Sequence, residues 1–146
     1  MKIKVINGVN LNFLGIREKN IYGNQDYASV IKYIKQKCED MGVDVDFFQS
    51  NCEGEIVDCL QDCYFKKYDG IVINPGAYTH YSYAIYDAIK SVSIDTVEVH
   101  ISDINQREKF RRISVTAPAC VAQIKGHGIE GYIEAIQLLL ERKNEK

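Results

Sequence analysis

A chain of 146 residues, 46% hydrophobic and 26% charged, can bury a full core and reads as one domain over residues 1–146. Its net charge of -2, with basic residues scattered rather than massed, excludes a global field for nucleic acid or a membrane surface and leaves a small molecule as the expected partner. The opening Met1-Lys2-Ile3-Lys4-Val5 lacks the apolar run of a signal peptide, and no stretch approaches the ~18 apolar residues of a membrane span, so the expected location is the cytoplasm.

The first expected strand is Ile3 to Ile6, followed by a polar stretch from Asn10 to Gln25 punctuated by Gly15 and Gly23. A connection that long inside a small domain is usually functional, and this one reads as a lid carrying Arg17 and Tyr22. Asp26 then caps a helical pattern through Ile31, Ile34 and Cys38 that stops near Gly42. Val43 to Gln49 forms a second strand, and the turn from Ser50 to Glu55 opens a helix through Ile56, Leu60 and Cys63. A third strand, Gly70 to Ile73, is followed by a helix over Tyr83 to Val92, a fourth strand over Asp95 to Val99 and a short helical piece near Gln106 to Arg112. Cys120 to Lys125 makes the fifth strand before a final helix through Ile133, Ile136 and Leu140. Alternating strands and helices predict an α/β flavodoxin-like fold, with a doubly wound five-stranded parallel sheet. The cysteines at 38, 52, 59, 63 and 120 form no C-x-x-C pair and read as reduced thiols, chiefly filling core.

Three strands end in polar residues: Asn7-Gly8-Val9-Asn10, Asn74 to His80, and Glu98-Val99-His100-Ile101-Ser102. In a parallel sheet the carboxyl ends of the strands line one crevice, which would bring these groups together. No Walker-type phosphate loop is present, and Gly126-His127-Gly128-Ile129-Glu130-Gly131 follows the last strand rather than the first, so it reads as a tight turn with close helix packing. Glu98 lies two residues before His100 on one strand face, where it could orient the imidazole for general acid work; the alternative is a core histidine satisfied by its neighbour. His80 gains weight from Asn74 nearby, and the main-chain N–H groups of Ile101 and Ser102 suit a carboxylate. Arg107, Arg111 and Arg112 read mostly as solvated surface. Tyr22 can serve as a base only as its phenolate, which a guanidinium such as that of Arg17 favours.

The segments Asn7 to Arg17, Tyr22-Gly23, Gln49 to Glu55, Asn74 to His80, Glu98 to Ser102 and Arg107 to Arg111, in order and at matching spacing, closely resemble type II 3-dehydroquinate dehydratase. The resemblance implies trans dehydration of 3-dehydroquinate to 3-dehydroshikimate, the third step of the shikimate pathway, through an enolate and without metal, Schiff base or cofactor. By position it makes Tyr22 the base with Arg17 favouring its phenolate, and His100 the acid oriented by Glu98. It assigns Asn10 to the enolate oxygen, Asn74, His80 and Arg111 to ring hydroxyls, and the N–H groups of Ile101 and Ser102 to the carboxylate. It also implies a homododecamer built as a tetramer of trimers, with Asp87 reaching a neighbouring subunit's site.

Four positions depart from the family's usual residues: Val9 for Pro, Cys52 for His, and Asn105-Gln106 for His-Ala. None carries chemistry in this scheme, so they bear on loop rigidity and supporting hydrogen bonds. A catalytically inactive flavodoxin-like protein that binds a small acid is the rival class, and a lyase acting on another cyclic hydroxy acid is a second enzymatic alternative.

Overall fold

Five parallel strands, β1 (Lys2–Asn7), β2 (Asp44–Gln49), β3 (Gly70–Asn74), β4 (Thr96–His100) and β5 (Ala122–Lys125), form one sheet in the order β2-β1-β3-β4-β5. The computed structural model describes residues 1–22 and 24–146, so Gly23 lies outside the described residues. The helices are α1 (Lys19–Tyr22), α2 (Tyr27–Met41), α3 (Glu53–Phe65), α4 (Tyr83–Val92) and α5 (Glu130–Asn144). This is the doubly wound, flavodoxin-like order expected from the sequence, with its topological switch between β1 and β3.

Strand alternation sends side chains to two cores. Ile3, Val5, Val72, Val97 and Val99 pack against α2 and α5 on one face, whereas Ile6, Ile71 and Ile73 pack against α3 and α4 on the other. Asp26 caps α2 by accepting a hydrogen bond from Ser29 N–H at 2.8 Å, and Gly42 closes the helix in the left-handed region. The buried stripe of α2 is Val30, Ile34 and Cys38, one position off the expected start at Ile31. Cys38, Cys59 and Cys63 fill core as expected, but Cys52 is exposed and Cys120 half-buried. Gly131 lets α5 approach the sheet: a Cβ there would stand 3.3 Å from Val99, in line with the packing reading of the glycine-rich turn.

The stretch after β1 is less polar in effect than in sequence. Leu11 and Leu14 are buried in the α2/α5 core, so its first half is anchored by apolar contact. β4 runs one residue further than expected and includes His100; the helical piece near 106–112 is two 3₁₀ turns, Ile104–Gln106 and Lys109–Arg112, separated at Arg107.

Candidate active site

Asn7 and Asn74 are register partners at the ends of β1 and β3, so the chain segments that leave these strands must cross closely. Gly8 makes this possible, since a Cβ at that position would lie 2.3 Å from the Pro75 carbonyl oxygen, and its own N–H donates to the Asn74 carbonyl at 2.7 Å. Gly76 is the matching requirement on the other side, with φ of 64° and space for a Cβ blocked 2.6 Å away by the Val9 carbonyl. The two glycines press the polar ends of β1 and β3 together at the switch point, where β4 delivers His100 alongside.

The result is one cavity lined by Asn10, Arg17, Tyr22, Asn74, His80, His100, Ile101, Ser102 and Arg111, together with Val9, Leu11, Ile104 and Arg107. Every expected site residue lines it except two. Glu98 lies beneath His100 and is fully buried, and Asp87 is exposed on α4, away from the cavity of its own chain.

His100 Nε2 donates to Glu98 Oε2 at 2.9 Å, because an ionised carboxylate can only accept. Nδ1 is therefore the ring nitrogen left to exchange a proton with a ligand. Burial alone would push the Glu98 carboxyl up, yet hydrogen bonds from His100, Thr116 and Gln123 outweigh it and hold the group below the ordinary carboxylate range. His80 has the opposite tautomer logic. Its Nδ1 lies 2.8 Å from the Ile113 carbonyl, so Nδ1 carries the hydrogen and Nε2 is an acceptor while the ring is neutral. Burial, with help from the positive fields of His100 and Arg111, lowers the His80 pKa and favours that neutral form.

Tyr22 stands opposite. Its phenol oxygen accepts from Arg17 Nη2 at 3.0 Å and from Arg107 Nη1 at 2.7 Å, and the Arg17 guanidinium sits 4.1 Å from the ring centroid. Two cationic donors on one oxygen strengthen as that oxygen gains negative charge. Desolvation works against Arg107, but its bond to Tyr22 and the nearby Glu108 and Glu18 carboxylates hold its pKa up, so it stays charged. Arg107 is the residue that sequence reasoning left among surface arginines. Its only signal was the place just past β4, and the contact to Tyr22 spans 85 residues.

Asn74 is held from both sides: Nδ2 donates to the buried Tyr132 hydroxyl at 3.0 Å, and Oδ1 accepts the Gly76 N–H at 3.1 Å. Tyr132 in turn donates to Asn7 Oδ1 at 2.6 Å, which leaves Asn74 one amide hydrogen for the cavity. Asn10 adopts φ of 67°, and its N–H donates to Asn51 Oδ1 at 2.9 Å. Arg111 Nε lies 2.6 Å from Glu108 Oε2 but is poorly aligned for a hydrogen bond to it. Among the described residues there is no group of three His, Cys, Asp or Glu side chains placed to hold a metal ion, and no helix is long and apolar enough to cross a membrane.

Comparison with known proteins agrees with this architecture. Residues 1–140 match the family model described as dehydroquinase class II. The chain is 63% identical over 139 residues to the 3-dehydroquinate dehydratase of Clostridium perfringens strain SM101, covering 95% of each, and 59% identical over 146 residues to that of Clostridium beijerinckii, covering 100% of each. The crystal structure of type II dehydroquinase from Butyrivibrio crossotus DSM 2876 superposes with a TM-score of 0.95 at 60% identity, over 96% of this chain and 97% of that one. With a full-length sequence match and the same fold, the chain belongs to the class II dehydroquinase family of hydro-lyases.

Proposed function

We propose that this protein catalyses the trans dehydration of 3-dehydroquinate to 3-dehydroshikimate, the third step of the shikimate pathway, through an enolate. The observation that carries the reading is a phenol oxygen held by two guanidinium groups facing, across one small cavity, an imidazole held by a buried carboxylate. That is a base site suited to negative oxygen and an acid site with one ring nitrogen free to give a proton. A pure binder of small acids needs neither.

In this scheme Tyr22 removes the proton beside the ketone, and the electron pair moves onto the ketone oxygen as the enolate. The enolate then collapses, the bond to the leaving hydroxyl breaks, and His100 Nδ1 supplies the proton that makes it water. Glu98 keeps the imidazole oriented throughout. Asn10 acts on the enolate oxygen through a water, while the N–H groups of Ile101 and Ser102 take the carboxylate. Asn74, neutral His80 and Arg111 take ring hydroxyls, with His80 Nε2 accepting. No lysine lines the cavity among the described residues, so a route through an imine has no amine to start from.

The whole chain, 1–146, acts as one domain in this reading, with residues 10–25 as the lid that carries Arg17 and Tyr22 over the bound ring. In this reading Asp87, exposed on α4, reaches the site edge of a neighbouring protomer within a dodecamer of four trimers. The enzyme works in the cytoplasm.

Incubating purified protein with 3-dehydroquinate and following ultraviolet absorbance of the conjugated enone tests the reading. Steady growth of the enone signal is expected. A flat trace, with the substrate bound but unchanged, would favour the inactive binder.

A further inference from the structure

Glu98 occupies a position where strand alternation calls for an apolar side chain. It lies on central strand β4, in register with Ile73 on one side and Gln123 on the other, and none of it is exposed. A bare charge there would be costly. The titratable groups facing it are His100 on its own strand, His80 from the 3₁₀ turn after β3, and Cys120 from the segment before β5. No Lys or Arg forms an ion pair with it among the described residues.

Neutral donors share the compensation with His100. Ser114 Oγ donates to Oε2 at 2.7 Å, Gln123 Nε2 to Oε2 at 2.8 Å, and Thr116 Oγ1 to Oε1. The hydroxyl protons can be counted. Thr79 Oγ1 touches Ser114 Oγ at 2.6 Å and Thr116 Oγ1 at 2.8 Å, and those two lie 3.2 Å apart. Three hydroxyls carry three protons; Ser114 and Thr116 direct theirs at Glu98, so the proton of Thr79 is left to donate to one or the other of them. Ser114 Oγ also accepts the Ala117 N–H at 3.0 Å, which stops it turning away. A protonated Glu98 would face its hydrogen toward a shell made of donors.

We infer that Ser114, Thr116 and Gln123 are positioning residues for the reaction: they keep Glu98 a carboxylate aimed at His100 Nε2 and thereby reserve Nδ1 for the ligand. The inference rests on the proposed role of His100 as the acid. The same segment also fixes the other histidine, since Val115 N–H donates to the Thr79 carbonyl at 2.7 Å and the Ile113 carbonyl takes the His80 Nδ1 hydrogen.

The test compares full-length Thr116→Val, Thr116→Ser and Gln123→Met with the parent, measuring kcat and KM for 3-dehydroquinate against pH together with melting temperature. Thr116→Val and Gln123→Met should lose about 10-fold to 100-fold in kcat, the scale expected for slight misplacement of a reacting group, with KM near the parent's. Their acid limb should move to higher pH, because a carboxylate with fewer donors takes up a proton sooner. Thr116→Ser should restore kcat and the limb. An unmoved limb with parental kcat in both Thr116→Val and Gln123→Met, or Thr116→Ser as damaged as Thr116→Val, overturns the inference. Gln123 is half-buried on an edge strand, so its variant keeps the test open if Thr116→Val does not fold. Should the parent lack turnover, the proposed function falls, and proton NMR still decides the network. A slowly exchanging His100 Nε2–H present in the parent and lost in Thr116→Val or Gln123→Met supports it; equal protection in all of them overturns it.

Discussion

His100 and Tyr22 face the same cavity from supports of opposite kind. His100 stands on the central strand β4, 6% exposed, with Glu98 sealed beneath it and four donors converging on that carboxylate. Tyr22 stands on the four-residue helix α1 inside a connection, half-buried, and its oxygen is held by two arginines. The sheet itself positions the side proposed to supply the acid. Charge assembles the proposed base side, from residues outside the sheet and its long covering helices, and in the proposed scheme this is the part that opens for substrate entry and closes over it.

The sharpest way to break the comparison is to remove the base atom. Tyr22→Phe deletes the phenol oxygen to which both arginines donate and should cost ~100-fold to 10,000-fold in kcat, while KM changes little because the hydroxyl and carboxylate contacts lie elsewhere. Near-parental turnover would mean that another group removes the proton.

A smaller effect separates the two arginines from the tyrosine they serve. Arg17→Met and Arg107→Met should each lose about 10-fold to 100-fold in kcat, the lower range for removal of one charged donor. The double variant should lose less than the product of the two single losses and no more than Tyr22→Phe, since both act on one oxygen. Arg17 and Arg107 variants measured in low and high salt sharpen the point: the parent's base side should be the salt-sensitive one, because Arg17 keeps 22% of its side chain exposed. An Arg107→Met enzyme with parental kcat would show that its 2.7 Å bond to Tyr22 is only structural.

The smallest effect is on stability against acid, and it should trace to the His100 side. The pKa of His80 is lowered from 6.5 by folding, chiefly through burial, so its contribution is full above about 6.5 and is lost as pH falls through the folded value. Glu98 is likewise held below its ordinary 4.5, so its share is present above about 4.5 and disappears at lower pH. Melting temperature from pH 8 downward should therefore fall in two stages, and His80→Gln should remove the first while leaving the second. A single stage unchanged in His80→Gln would contradict the assignment.

Much of this was legible in the sequence because it is local. Alternating apolar residues, the Asp26 cap and the Gly42 stop placed α2 and its strands, and the polar residues at three strand ends marked the crevice. The α2 face was misplaced by one residue because Val30 and Ile31 are adjacent and equally apolar, and only packing into the core on that face of the sheet chooses between them. The short 3₁₀ turns that carry His80 and Arg111 have too few residues for any period to show. Arg107 stayed hidden for a different reason: its partner is 85 residues away, and nothing in an arginine-rich stretch says which arginine turns inward. The hydroxyls around Glu98 were likewise invisible, since Ser114 and Thr116 look like any polar turn until the fold sets them against a buried charge.

In the proposed scheme, proton removal and hydroxyl departure belong to different residues on differently built supports. Proton NMR of 3-dehydroquinate in deuterated buffer with the His100→Ala variant tests it most directly. The proton beside the ketone should exchange faster than without enzyme while no enone forms, and adding Tyr22→Phe should abolish the exchange. Exchange that survives in the double variant, or is absent when His100 alone is removed, would contradict the assignment of Tyr22 as base and His100 as acid.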